Sequence, residues 1–179
     1  SDIYRERKNT IIKLNKKDKI MCALYRPGHF EGVLAVINQF LQRFDPKCIF
    51  FGEKDYQQLF LIKKFIKNKF KTKIFSCSTI RDKNKLALSS RNILLSDNDI
   101  KKSSFIAKLL LKFKHKIKKN IYLKKNINNI NFKINRIKDI KIEYLEIRNK
   151  NNLSKNYNKN NFKIFLAYYN KKIRLIDNY

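Results

Sequence analysis

At 179 residues the chain has room for one domain with its own core, or for two small ones. Its formal net charge of +29 raises nucleic acid or an anionic membrane as partners. However, Lys (34), Asn (22) and Ile (25) dominate over three Gly and two Pro, and the favoured residues are those with AT-rich codons, so genomic base bias accounts for the charge, with nucleic-acid binding as the alternative.

The charge is spread out: residues 1–100 carry 21 basic and 10 acidic side chains, and residues 101–179 carry 22 and 4, with no stripe of cations and aromatics suited to single strands. No apolar run approaches the roughly 18 residues of a membrane-spanning helix, and no signal peptide is visible. Cys22, Cys48 and Cys77 lack CxxC spacing and, with His29 and His115, make no zinc set. The expectation is a cytoplasmic chain with buried or inert thiols, no membrane and no specific nucleic-acid partner.

In chain order, "TIIKLNKKDKI" (10–20) is weakly strand-like, and "RPGHFEG" (26–32), with two of the three glycines, reads as a loop. "VLAVINQFLQRF" (33–44) has apolar residues at 33, 34, 36, 37, 40, 41 and 44, which predicts a helix ended by Pro46. "CIFF" (48–51) predicts a buried strand. After Gly52, Leu59, Ile62, Phe65, Ile66 and Phe70 mark a second helix over 55–70, and "KIFSC" (73–77) the next strand. Helix, strand, helix, strand points to an α/β unit with parallel strands. Residues 78–92 are polar and irregular. Ser96 or Asp97 opens a long helix, with acids in its first turn, and a polar Asn/Lys-rich stretch follows. "KIEYLEIRN" (141–149) alternates like a strand, "NKNNLSKNYNKNN" (149–161) reads as a flexible loop, and "FKIFLAYYN" with "KIRLIDN" forms a closing hairpin. The expected class is α/β: the last part of a Rossmann-like parallel-sheet domain over 1–79, then a small α+β domain with antiparallel strands over 80–179.

Three stretches can carry chemistry. "GEKDYQQ" (52–58) stands at the carboxyl end of a strand, where ligands sit in open parallel sheets. Gly52 leaves room for a ligand. Lys54 can meet a phosphate and the following helix start favours an anion. Asp55 can bond ribose hydroxyls or cap the helix, and Gln57 and Gln58 suit a polar substrate. A glycine turn with a capping Asp and surface polar residues is the plainer reading. In "LSSRN" (88–92), two hydroxyls beside Arg91 suit a polyphosphate, and an ordinary hydroxyl turn before a helix is the alternative. Arg26 and His29 can contact substrate or simply belong to a rigid loop. No Walker loop, catalytic Ser-His-Asp order or two-metal carboxylate cluster is present.

"RPGHFEGV", "FFGEKDYQQLFLIKK", "LALSSRN" and "IRLIDN", in this order, resemble the pantoate–β-alanine ligase (pantothenate synthetase) family of the nucleotidyltransferase superfamily. The resemblance implies an ATP-dependent ligase of vitamin B5 biosynthesis. ATP and pantoate give pantoyl adenylate and pyrophosphate, and β-alanine then displaces AMP. It also implies that Gly52, Glu53, Lys54, Asp55, Ile80, Leu88, Ser89, Ser90 and Arg91 bind ATP, that Gln58 binds pantoate, that Mg²⁺ accompanies the nucleotide, and that the protein is a homodimer. Residues 88–91 match the family's counterpart of the KMSKS loop, and Lys85 stands where the family usually has glycine. Nothing in residues 1–30 matches the family's first strand and histidine loop. The resemblance therefore implies the carboxy-terminal part of the enzyme, whose small domain closes over the active site, with no assignable catalytic residue. A catalytically incompetent fragment or remnant is the alternative.

Overall fold

The computed structural model describes residues 12–119 and 125–179, and the chain divides into two compact units after Ser78. The first unit holds α1 (Cys22–Tyr25), α2 (His29–Phe44), β1 (Cys48–Gly52), α3 (Tyr56–Ile66) and β2 (Lys73–Cys77). Strands β1 and β2 pair in parallel, from Cys48 opposite Lys73 to Gly52 opposite Cys77. A parallel pair needs a crossover, and α3 supplies it. Helix α2 buries Phe30, Leu34, Asn38 and Leu41, one face at helical spacing. It ends where Asp45 turns left-handed (φ 37°) and its N–H bonds the Leu41 carbonyl, just before Pro46. Leu34 and Leu41 pack with Ile62 and Ile66 of α3, and Ile49, Phe51 and Ile74 of the sheet lie against them.

Several expectations change here. The loop at 26–32 is shorter, because α2 already begins at His29. Residues 12–20 form no strand: a single 3-10 turn covers Lys16–Asp18, while residues 10 and 11 lie outside the described part. "CIFF" is a strand but not a buried one. Its alternate side chains face the helices, and Phe50 on the other face is 65% exposed, its ring stacked on that of Phe75 at 5.3 Å. Cys22 is buried, but Cys48 and Cys77 are exposed because they share that uncovered face.

The second unit holds α4 (Asp97–Lys118), α5 (Lys125–Asn135) and an antiparallel sheet of β3 (Ile140–Asn149), β4 (Phe162–Asn170) and β5 (Ile173–Asn178), in the order β3-β4-β5. Ser96 caps α4, its Oγ accepting the Asp99 N–H. Ile106, Leu110 and Phe113 of α4 and Ile130 and Ile134 of α5 cover Ile164, Leu166, Tyr168 and Leu175 of the sheet. Helix α5 falls in the stretch read only as polar. Asn is a poor helix former, but apolar residues at 127, 130 and 134 reach the core, and packing outweighs propensity.

The Asn-rich segment after β3 is tied down rather than loose. Leu153 is buried, its carbonyl accepts from Arg148, and Asn149 bonds both the Asn151 N–H and the Asn156 carbonyl. The hairpin turn docks on the start of α4: Lys171 meets Asp99 at 2.7 Å, and the Asn170 amide donates to the Asp99 carbonyl and to Ser103.

Candidate functional site

In the first unit, Gly52 ends β1 and Glu53–Asp55 form a 3-10 turn that runs directly into α3. The strand end and the helix start therefore carry Gly52, Glu53, Lys54 and Asp55 in succession, with Gln58 in the first turn of α3. Gly52 has φ −71° and ψ 134°, a conformation open to any residue, and a Cβ there would meet nothing within 4 Å. Nothing in the described chain requires glycine at this point. Asp55 makes no side-chain cap to α3, which removes the capping alternative. Burial, and then the Glu53 carboxylate, raise the pKa of the neighbouring Tyr56.

The two glutamines separate cleanly. Gln57 is buried and donates to the Ile20 carbonyl at 2.7 Å, so it holds the 18–20 segment against α3. Gln58, one helical step round, is half-exposed. His29 opens α2 with its ring 5.0 Å from that of Phe30, and is a packed helix-end residue rather than a loop one.

In the second unit, residues 80–91 form a folded loop. Arg81 and Ala87 make an isolated antiparallel bridge, and the Leu88 N–H bonds the Ile80 carbonyl at 2.9 Å. This brings together Ile80 and Leu88, eight positions apart, with their apolar side chains exposed. Ser89 caps the 3-10 turn Ser90–Leu94, its Oγ accepting the Arg91 N–H. Arg91 is exposed and donates one Nη1 bond to the Arg174 carbonyl of β5. Lys85 lies at φ 73°, in the left-handed region that favours glycine, with its carbonyl bonded by Arg81.

One pair here escaped the sequence reading. Arg81 grips Asp177 with two bonds, Nη1 to Oδ2 at 2.7 Å and Nη2 to Oδ1 at 2.8 Å, and Nη2 also reaches the Asn178 carbonyl. Burial works against the charge, but the Asp177 hydrogen bonds and charge outweigh it, and the pKa of Arg81 rises. "IRLIDN" was visible as a motif, but no spacing rule pairs residues this far apart. Among the described residues no three His, Cys, Asp or Glu gather as a metal set, and no helix is long and apolar enough to cross a membrane.

The family model of pantoate-beta-alanine ligase matches residues 1–179. The chain belongs to the pantoate–β-alanine ligase family. Among its relatives, the pantothenate synthetase of Azobacteroides pseudotrichonymphae is 36% identical over 99% of this chain and 64% of its own. That of Francisella tularensis subsp. mediasiatica is 38% identical over 99% and 60%. Of solved structures, pantothenate synthetase from Thermus thermophilus superposes with a TM-score of 0.89 at 26% identity, over 99% of this chain and 66% of that one. The Francisella tularensis pantoate-beta-alanine ligase complexed with beta-gamma ATP and beta-alanine does so at 0.74 and 35%, over 94% and 57%. The chain thus spans less than two thirds of each of these proteins. The described residues hold one parallel and one antiparallel sheet, and this α/β fold is shared with the matched part of the Thermus thermophilus structure.

Proposed function

We propose that this chain carries the ATP grip and a pantoate contact of a ligase that joins pantoate to β-alanine. The observation that carries the reading is Gly52. It stands at the carboxyl end of a parallel strand, its own backbone does not need glycine, and the space a Cβ would enter is open. A glycine that the fold does not require is accounted for by a nucleotide that does. Lys54 supplies positive charge to the phosphates, and Glu53 and Asp55 lie on the same turn. Ile80 and Leu88 offer apolar contact for the base. The Ser89 and Ser90 hydroxyls and the remaining donors of Arg91 meet the phosphates, and Gln58 meets pantoate.

In the proposed reaction the pantoate carboxylate attacks the α-phosphorus, forming the acyl–phosphate bond of pantoyl adenylate and expelling pyrophosphate. The β-alanine amine then attacks the acyl carbon, and AMP leaves. The chain's part is positioning and charge stabilisation. Mg²⁺ would enter with ATP on its phosphate oxygens, since the described residues offer it no three-ligand cage. The 1–79 and 80–179 division and assembly as a homodimer belong to the same proposal.

The test is AMP release dependent on ATP, pantoate and β-alanine together, run beside ATP titration of the same chain. ATP binding with turnover supports the complete reaction. ATP binding without turnover supports the fragment reading, which rests on the partial span of the relatives. Absence of ATP binding sinks both.

A further inference from the structure

Loop 80–91 buries only Leu86 and Ala87, in its middle, and leaves its two ends outside any core. Of its expected nucleotide contacts, Ile80, Leu88, Ser90 and Arg91 are exposed and Ser89 is partly so. Such a segment keeps one shape only if something fastens it. Its backbone is closed on itself by the Leu88 to Ile80 bond, and by Asp82, which accepts the Leu86 N–H on Oδ1. That makes the loop a unit but does not say where the unit stands. Its placement comes from β5, the edge strand whose other side pairs with β4. Arg81 joins the loop's first turn to Asp177 and Asn178 with three bonds, and to the loop's own Lys85 carbonyl with a fourth. Its guanidinium also lies 4.6 Å from the ring centroid of Tyr179. Asp177 is buried, and its Oδ1 also accepts the Asn178 N–H, so the carboxylate itself is fixed. At the loop's far end, Arg91 bonds the Arg174 carbonyl on the same strand.

The geometry points to Arg81 as a positioning residue: paired with Asp177, it sets where the nucleotide-contacting residues 80 and 88–91 stand, and so controls ATP affinity without touching ATP. This rests on the ATP reading above. A planar guanidinium holding both carboxylate oxygens fixes orientation as well as distance, which a lysine at the same place cannot do. Motif "IRLIDN" then has a role: Asp177 is the anchor on the sheet for the loop that holds the phosphates.

The experiment uses the full chain and two variants. Arg81→Lys keeps the charge and loses the fork. The double variant Arg81→Leu/Asp177→Leu removes both charges at once, so no carboxylate is left buried without a partner, and it guards against simple unfolding. Amide hydrogen exchange reads the loop at Leu86 and Leu88, with β4 amides as the internal reference, and calorimetric titration reads ATP. Both variants are expected to speed exchange at Leu86 and Leu88 at least tenfold, to leave β4 unchanged and to raise the ATP Kd at least tenfold. Loop amides exchanging at the wild-type rate overturn the clasp. Faster loop exchange with unchanged ATP affinity overturns its link to the nucleotide. A wild-type chain that binds no ATP overturns the functional reading instead, while the exchange comparison still decides the clasp.

Discussion

The two sheets of this chain solve the same problem in different ways. The parallel pair β1–β2 has helices against one face and leaves Phe50, Phe75 and two thiols bare on the other. The antiparallel sheet β3–β5 lies under α4 and α5 and carries the larger continuous core. The proposed site segments follow the same division. Residues 52–58 are placed by a strand end and a helix start, with Gln57 turned into the fold and Gln58 half-exposed. Residues 80–91 have no such frame and depend on side-chain fasteners to β5. A segment inherited from regular structure is cheap to position, whereas an irregular one needs dedicated residues.

The contrast can be broken at its strongest point first. Leu110, fully buried between α4 and the antiparallel sheet, should cost roughly 2–5 kcal/mol on replacement by Ala, read by urea unfolding. A loss well under that range would mean the second unit is not the better-packed one. Next, Lys54→Ala should weaken ATP binding by about 1.5–3 kcal/mol, the worth of hydrogen bonds to a charged group. The melting midpoint should stay put, because backbone places this segment. Unchanged affinity removes Lys54 from the site.

The fasteners at the α4 start should show in acid. Hydrogen bonds from Lys171 and then Ser96 lower the Asp99 carboxyl from 3.8 to about 2. The folded chain therefore holds its charge at lower pH than the unfolded one, and this stabilisation is complete above about pH 4. It is lost as pH falls from about 4 towards 2. Asp99→Asn should flatten that part of a pH–stability curve, and a curve identical to wild type would remove the clasp between hairpin and helix. A smaller effect is expected at Lys85, whose left-handed φ of 73° is strained. Lys85→Gly relieves about 1 kcal/mol of strain and gives part of it back as unfolded-chain entropy, so the melting midpoint should rise by roughly 2–4 °C at most. Least of all, Phe50→Thr on the bare face should change stability by less than about 0.5 kcal/mol. A loss of several would mean that something covers that face.

Much was legible in the residues. Apolar spacing marked α2 and α3, a cap with acids in the first turn marked α4, and short apolar or alternating runs marked all five strands, signals that survive even in a chain this rich in Lys and Asn. "GEKDYQQ" and "LSSRN" stood out because Gly, Gln and paired hydroxyls are scarce here. Helix α5 was hidden, since Ile127, Ile130 and Ile134 sit among Asn residues whose own preference is for turns. The exposure of Phe50 was hidden too: a four-residue apolar run looks the same whether one face of the strand is covered or both.

The sequence by itself determined the α/β class, the periodic elements, and the residue types and order that mark the ligase family, because these depend on neighbours within a turn or a strand. Only the tertiary structure decided the rest. It assigned Gln57 to the fold and left Gln58 accessible, because one helical step changes which face a side chain joins. It showed that Gly52 is not required by its own backbone, that Lys85 occupies a glycine conformation, and that Arg81 reaches Asp177. Each of these depends on a dihedral angle or on a contact between distant residues, and neither is written in local spacing.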